Sequence, residues 1–509
     1  MDFIVYDLAF LIFFCIITGI FLYKRRKNLK KEGIMYLYRT QLGIKFIEWF
    51  AKKNARWLKP LQYFVIAVGY ALMAFVLYLM IDSVYIYIKY PIVSQVIRAP
   101  PIFPIFPYFN KFFGLSSFFP DLYFTYFIVA IAVLAVFHEF AHGIFARLNK
   151  VRIKSTGFGF LGPILADLVI AKVTKAKKAF RNYLIVILAI ILIAIIAKSW
   201  IILLFIIVPF LGAFVEQNDK DMDKASKTGQ LAILAAGVFT NIVLAGILLG
   251  FFWLFFLAAF QPQGVSFGDY AADPINISQI TSIDNQSFLT INNNTFLKVV
   301  ANNTTYYTTP QVLEQTLMQN LSYLGAYEDT PAFNSGLRGV IIEFDGKKVS
   351  SRTILTDGIL AHNPGDAVEI KTIYNGSIET FDINLGGRNG KAFLGISSSV
   401  VPTNSLMSKI NMLTPKINDY FNGVVYESRI GDFGIFIFNF FWWLVILNAL
   451  VALFNMLPLG PFDGGRFFMI TIWGITGNKK YGEKAFSWAT WFLLALLAVL
   501  MVKWVFTLF

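Results

Sequence analysis

Two histidines and a glutamate in one apolar stretch have the types and spacing of a metal-dependent hydrolytic site. The segment FHEFAHG contains His138, Glu139 and His142. Residues four apart lie on one face of an α-helix, so both imidazoles can bind a single Zn²⁺ ion. Glu139 is adjacent to the first of them and can act as a general base toward water at the metal. The alternative is a chance match on a buried helix.

A catalytic zinc ion usually has three protein ligands, so a third residue is needed. The remaining histidine, His362, lies in a polar segment and is expected at a surface. The third ligand is therefore expected to be a carboxylate or an amide from the apolar part of the chain. Asp463 follows an apolar stretch that Pro458 interrupts, and its expected depth matches that of His142. Asp167 is the alternative ligand.

The composition predicts that these residues lie in a polytopic α-helical membrane protein. Of 509 residues, 57% are hydrophobic and 15% charged, whereas soluble domains average about 25% charged residues. This excludes a disordered, fibrous or ordinary cytosolic protein. Apolar length predicts eight spans, two of them in the long stretch 183–215. The predicted spans are 5–23, 61–90, 122–148, the pair within 183–215, 231–260, 433–457 and 486–509.

Charge orients these spans. Twelve Lys or Arg residues and two Glu residues lie between Lys24 and Lys59, so this loop is predicted to be cytoplasmic. Alternation then places both termini outside and the HExxH motif toward the cytoplasmic side of the bilayer. The single cysteine, Cys15, lies within an apolar run, which excludes an intrachain disulfide framework.

Residues 264–400 have the composition of a soluble insert. They contain 8 basic and 13 acidic residues, a net charge of −5. Because the whole chain carries +14, the remaining residues carry +19. Because the basic excess belongs to the membrane part, it requires no nucleic-acid partner. Seven Asn-x-Ser/Thr sequons fall inside this insert, which favours exposure outside the cytoplasm.

The predicted organisation has four segments. A glycine- and aromatic-rich stretch, 157–169, within the second segment is predicted to be a strand hairpin, either presenting an edge strand to an unwinding substrate or closing the membrane surface. The segments are a two-span region (1–121), a first catalytic part (122–263), the extracytoplasmic insert (264–400) and a second catalytic part (401–509).

Three motifs in order resemble the site-2 protease family of intramembrane zinc metalloproteases. They are HEFAH, then AGVFTN ending at Asn241, then NMLPLGPFDGG from Asn455 to Gly465. The resemblance implies that His138, His142 and Asp463 bind zinc and that Glu139 is the catalytic acid/base. It further implies that Asn455 orients the substrate or stabilises the oxyanion. Asn241 belongs either to the family motif or to a small-residue packing motif. Val238 departs from the family, in which proline is common at this position.

The insert is similar to PDZ modules over about residues 330–398, where TPAFNSGLRGVIIEFDGKKV precedes NPGDAVEIKTIYNGS. The likeness implies a groove for an extended peptide or a C-terminus. The alternative is a β-rich domain without a ligand.

We therefore predict an intramembrane zinc endopeptidase acting on single-span membrane proteins, as the second cut in regulated intramembrane proteolysis. A metal-ion transporter and a catalytically silent PDZ-bearing scaffold are the alternatives.

Overall fold

In the computed structural model the chain forms two compact units. The first consists of residues 1–255 and 436–509, and the second consists of residues 256–435. The described residues are 3–32, 35–89, 105–112, 119–161, 181–182, 184–188, 190–191, 210–292, 294–318, 321–397 and 423–506.

The N-terminal part of the chain alternates long helices with short strands. Its elements are α1 (Phe3–Arg25), β1 (Leu29–Glu32), β2 (Met35–Thr40), α2 (Ile44–Lys53), α3 (Ala55–Lys89), α4 (Phe109–Phe112), α5 (Phe124–Leu148), β3 (Ile153–Leu161), β4 (Phe210–Gln217), α6 (Asp219–Lys224) and α7 (Lys227–Ala259).

The unit formed by residues 256–435 is rich in β-structure. Its first half contains β5 (Phe260–Ser266), β6 (Asp269–Tyr270), β7 (Ala272–Asn276), β8 (Ile280–Ile291), β9 (Asn294–Ala301), β10 (Thr304–Thr308), α8 (Pro310–Met318) and β11 (Tyr323–Glu328). Its second half contains α9 (Pro331–Asn334), β12 (Val340–Phe344), β13 (Lys347–Lys348), α10 (Arg352–Leu360), β14 (Ala367–Tyr374), β15 (Ser377–Asn384), β16 (Gly386–Arg388), β17 (Lys391–Phe393), β18 (Ile396–Ser397) and β19 (Val424–Ser428).

Two main sheets organise this unit. One has the strand order β7-β11-β10-β9-β8, and the other has the order β15-β14-β12-β5-β19, with β13 paired to β12. Among the described residues of this unit, β16 with β17 and β18 with β6 form two further two-stranded sheets. Alternating buried side chains such as Val368 and Ile370 on β14 form its core, as expected for strands with one face covered.

Three helices follow β19 among the described residues: α11 (Gly431–Asn455), α12 (Asp463–Thr476) and α13 (Lys479–Phe506). Six helices among the described residues, namely α1, α3, α5, α7, α11 and α13, are long and apolar enough to cross a membrane. The chain is thus a multi-pass helical protein with added β-sheets.

The predicted count of eight spans is not matched within the described residues. The two additional spans are predicted in 183–215, of which 183, 189 and 192–209 lie outside the described residues. Residues 210–217 form β4, so the C-terminal end of that prediction is wrong. Hydropathy does not distinguish a buried strand from a short helical segment.

Strand β3 also differs from the prediction. Residues 157–161 are not one arm of a local hairpin, because β3 lies between β2 and β4 in a four-stranded antiparallel sheet, β1-β2-β3-β4. The second half of the predicted hairpin, 162–169, lies outside the described residues. Glycine permits close packing here, since a Cβ at Gly157 would lie 2.7 Å from the ring of Phe214. Strand β4 is left at one edge of the sheet.

The N-terminus of α5 is held by an aspartate from α1. Asp7 is fully buried and accepts hydrogen bonds from the backbone N–H groups of Phe124 and Thr125, at 3.0 and 2.8 Å. The hydroxyls of Thr125 and Tyr108 also donate to it. An anion at this position satisfies the free amides of the first helical turn. The first span is therefore tied to the helix that carries the HExxH motif.

Candidate active site

The histidines of α5 meet at one point in the folded chain. His138 and His142 are buried, and their Nε2 atoms are 3.0 Å apart. Ligand atoms of His138, Glu139 and His142 all lie within 4.8 Å of one another. This is the arrangement that helical periodicity produces from an i, i+4 pair.

Asp463 adds a third converging atom. Its Oδ2 lies 3.3 Å from Nε2 of His138 and 3.3 Å from Nε2 of His142. The structure therefore brings together the three residues that the sequence suggested as ligands. Asp167, the alternative, lies outside the described residues.

Asp463 lies beside the two histidines because the chain is not helical between α11 and α12. α11 ends at Asn455, and α12 begins at Asp463 after a proline-containing turn. Gly464 and Gly465 follow the aspartate, and a Cβ at either would collide with the backbone of that turn, at Met456 and Leu459 respectively. The two glycines thus let the start of α12 lie directly against the preceding loop.

Each imidazole has a partner at its other nitrogen. Nδ1 of His142 lies 2.7 Å from the carbonyl oxygen of Ile233. A carbonyl only accepts, so Nδ1 carries a proton, and Nε2 is the nitrogen that faces Asp463 and is available to bind a metal ion. Nδ1 of His138 lies 3.1 Å from Nδ2 of Asn241, while Oδ1 of this buried amide has no hydrogen-bond partner. Rotating the amide by 180° exchanges the two atoms and lets Oδ1 accept from Nδ1–H, as the carbonyl of Ile233 does for His142. Such partners orient metal-binding histidines.

α7 passes the imidazoles at Gly237. A Cβ on this residue would lie 2.5 Å from Nε2 of His142 and 2.6 Å from Nε2 of His138. One helical turn later, Asn241 contacts His138 from the same helix. The glycine and asparagine of AGVFTN therefore have separate physical roles, one leaving space for the ligand atoms and the other orienting a ring.

Glu139 contacts the edge strand of the sheet. The backbone N–H of Val215 in β4 donates to Oε2 of Glu139 at 2.9 Å. This N–H is directed away from β3, so the open edge of β4 faces the carboxylate. The contact holds Glu139 beside the converging ligand atoms.

These residues line a polar cleft of about 380 Å³. Asn455, half-buried at the end of α11, lines it, as do Glu216 and Arg466. Arg39 and Ser155 donate hydrogen bonds to Glu216, and these bonds hold the pKa of its carboxyl below the usual value. The cleft combines candidate metal ligands, a carboxylate and amide donors.

Sequence reasoning missed the contribution of β4. Its segment, FLGAFVEQ, combines glycine and phenylalanine as GFGFL of β3 does, and this likeness was the available signal. Arg466 also lines the cleft without having been singled out. His362 belongs to the β-rich unit, where its Nε2 lies 3.2 Å from Oδ2 of Asp345.

An HExxH helix, a nearby aspartate and several apolar helices define the class of a membrane metallopeptidase. Residues 126–500 match the family model described as Peptidase family M50. The match covers most of the chain, so the chain belongs to peptidase family M50, a family of metalloproteases. It begins after α1 and α3, which precede the matched region. A comparison with curated proteins found no match.

Proposed function

We propose that the chain is a zinc-dependent endopeptidase that cleaves transmembrane segments of other membrane proteins within the bilayer. The convergence of three ligand atoms carries this proposal, with separations of 3.0, 3.3 and 3.3 Å. Ligand atoms in a tetrahedral zinc site are roughly 3.3 Å apart, given the usual bond lengths. A proton on one Nε2 would satisfy only one of these contacts, whereas a metal ion satisfies all three. His138, His142 and Asp463 are therefore the proposed ligands.

The chain's own groups would carry the proton transfers. When bound, Zn²⁺ supplies Lewis-acid polarisation of the scissile carbonyl and lowers the pKa of water. Glu139 accepts a proton from the attacking water and passes it to the leaving nitrogen. The N–H of Val215 holds Oε2 of this carboxylate, which leaves Oε1 to take the proton. Asn455 is proposed to donate an amide hydrogen to the substrate carbonyl oxygen, where negative charge develops.

The substrate is proposed to bind as an extended strand along β4. A peptide bond within a helix is sterically closed to attack, so the segment must unwind before cleavage. The edge of β4 that faces Glu139 offers backbone hydrogen bonds to such a segment. A single-span substrate can unwind at this edge without displacing further helices of its own, so single-span membrane proteins are the proposed class.

Metal removal tests the proposed function directly. The purified protein is incubated with a helical transmembrane substrate, with and without a chelator, and the products are identified by mass spectrometry. Cleavage is expected to stop on chelation and to return when Zn²⁺ is added. Cleavage that persists in fully zinc-free protein contradicts the mechanism. A metal-ion transporter or a silent scaffold would give no cleavage product in any arm.

The ligand assignment of Asp463 gives a separate prediction. Asp463→Ala is expected to reduce bound zinc well below one ion per chain, because one of the three ligand atoms is lost. Zinc content is measured by elemental analysis after dialysis. Asp432→Ala is the matched control, since Asp432 is exposed in the first turn of α11 and is expected to leave zinc content unchanged. Full occupancy in Asp463→Ala redirects the assignment to Asp167.

The proposed orientation has the β-rich unit and both termini outside and the active site toward the cytoplasm. The lysine-rich start of α13 then lies inside. In a Cys15→Ser background, a cysteine introduced by Lys480→Cys is expected to resist a membrane-impermeant thiol reagent applied to intact cells, and to react after lysis. Reaction in intact cells reverses the orientation.

The β-rich unit is proposed to bind a peptide C-terminus as a PDZ-like module. A groove of about 260 Å³ lies between α10 and the segment 392–397. Its walls are mostly apolar, and Arg352 lines it without a hydrogen bond or ion pair to any described residue. Burial lowers the pKa of Arg352, so an anionic partner there is favourable. An apolar peptide ending in a free carboxylate has the matching chemistry.

Arg352→Ala is expected to weaken binding of such a peptide about ten-fold, because a charge-assisted hydrogen bond is lost. The probe is a fluorescent apolar peptide with a free C-terminal carboxylate, measured by anisotropy with the full chain. Arg429→Ala is the control, because Arg429 is exposed in the same unit and outside the groove. Equal binding of the carboxylate and its C-terminal amide would contradict the proposal.

This groove is the observation behind a proposed role in cleaving substrates that another protease has already cut. Trimming the external part of a substrate whose C-terminus lies outside creates a new free carboxylate beside the membrane. A groove that binds this end favours trimmed substrates over intact ones. We therefore propose that the chain performs the second cut in regulated intramembrane proteolysis.

A further inference from the structure

The short helix α2 has two different faces. Ile44, Ile47 and Ala51 are buried, whereas Phe46 and Trp49 are half exposed, at 49% and 53%. The helix has 10 residues and is therefore about 15 Å long, too short to span a bilayer. A helix with this division of faces is suited to lie along a surface.

The buried face packs on the helix that carries the HExxH motif. Ile47 fits against Gly143 of α5, where a Cβ would lie 2.9 Å from its Cδ1 atom. Glu48 forms an ion pair with Arg147 at 3.2 Å. These contacts lie on α5 within about one turn of His142, so the position of α2 is coupled to that of the catalytic helix.

The exposed face alternates lysines with aromatic rings. Lys45, Lys52 and Lys53 are exposed on it, and the ammonium group of Lys53 lies 4.8 Å above the ring of Trp49. Its only acidic residue, Glu48, is already paired with Arg147. None of the three lysines forms an ion pair with a described residue. The face is thus cationic and aromatic with no internal counter-charge.

The position of α2 in the chain places this face at a membrane surface. Only Asn54 separates α2 from the spanning helix α3. The first turns of α3 continue the pattern, with exposed Arg56, Trp57 and Lys59. Aromatic rings and lysines are the residues that settle at the boundary of headgroups and acyl chains.

We propose that the exposed face of α2 binds the surface of an anionic phospholipid bilayer. Phe46 and Trp49 insert among the acyl chains, while the lysines contact phosphate-bearing headgroups. Bilayer contact thereby sets the depth of α2, and through Ile47 that of α5. The evidence for this surface does not depend on the proposed peptidase chemistry.

A fluorescent label next to α2 tests the proposal. Cys15 is the chain's single cysteine, so Cys15→Ser with Leu42→Cys accepts one label at a position 70% exposed. The full chain is placed in nanodiscs of phosphatidylcholine, or of an equal mixture with phosphatidylglycerol, each containing a headgroup-level quenching lipid. Stronger quenching is expected in the anionic bilayer, and added salt is expected to weaken it.

Two variants that lose the same number of positive charges distinguish an effect of the α2 lysines from an effect of the protein's net charge. The test variant changes the lysines of α2 (K45Q, K52Q and K53Q), and the control changes exposed lysines of β13 and β17 (K347Q, K348Q and K391Q). Quenching in the anionic bilayer is expected to fall about two-fold or more in the test variant only. Equal quenching in both bilayers, or a label that remains accessible to iodide in both, overturns the proposal and favours a protein partner for this face.

Cleavage measured in the same nanodiscs tests the proposed peptidase function separately from the proposed lipid-binding face of α2. Cleavage with a water-exposed label retains the proposed function and refutes the lipid surface. A lipid-quenched label without cleavage retains the surface and refutes the proposed function.

Discussion

Replacing Glu139 with glutamine is expected to lower the cleavage rate by about 10²- to 10⁴-fold, the usual contribution of a general base. Glutamine has nearly the same shape, and its side-chain oxygen can still accept the hydrogen bond from Val215. The change therefore removes the proton acceptor and leaves the contact with β4. Single-turnover cleavage of a transmembrane substrate gives the rate.

Zinc content separates loss of chemistry from loss of the site. Because Glu139 is not among the three converging ligands, Glu139→Gln is expected to bind as much zinc as the parent. Glu483→Gln is the matched control, since Glu483 is an exposed carboxylate near the start of α13. A Glu139→Gln protein that cleaves at the parental rate excludes this residue as the base, and joint loss of zinc and activity would assign it a ligand role.

Gly237→Ala is expected to weaken zinc binding and cleavage by about 10- to 100-fold, as disturbance around metal ligands typically does. The added methyl group would lie 2.5 to 2.6 Å from atoms of His138 and His142. Either α7 or the two imidazoles must move, and the geometry of the ligand atoms then changes. Zinc affinity is measured by competition with a fluorescent chelator.

The control for this change is Gly246→Ala in the same helix. A Cβ at Gly246 meets no atom within 4 Å. Alanine is a better helix former than glycine by roughly 1 kcal/mol, so both changes favour α7 itself to the same extent. Weaker zinc binding in Gly237→Ala alone therefore reports the collision with the histidines. Parental affinity in both variants means that α7 does not lie over the ligand atoms as closely as described.

Both of these expectations combine a motif found in the sequence with a contact found only in the structure. The sequence alone predicted that His138 and His142 share one face, because helical periodicity relates residues four apart without reference to the rest of the chain. It also selected Asp463, since Pro458 must end a helix and the charge pattern limits the depth of the residues that follow. The structure brings Asp463 within 3.3 Å of both histidines.

The sheet could not be predicted in the same way. β4 pairs with β3, and β3 with β2, across separations of tens to more than a hundred residues. Such pairing depends on which distant segment supplies the partner edge, and local hydropathy does not encode that choice. The apolar residues 210–215 were consequently predicted to lie in a membrane span.

Residue types and short-range spacing were sufficient to predict a metalloprotease, a membrane setting and the candidate ligands, because these features depend on local sequence. The surroundings of those residues became known from the folded structure. It placed Val215 against Glu139, Gly237 over the imidazoles, Asn241 at Nδ1 of His138 and α2 against α5. Each of these contacts joins elements distant in sequence, and packing selects such contacts for the chain as a whole.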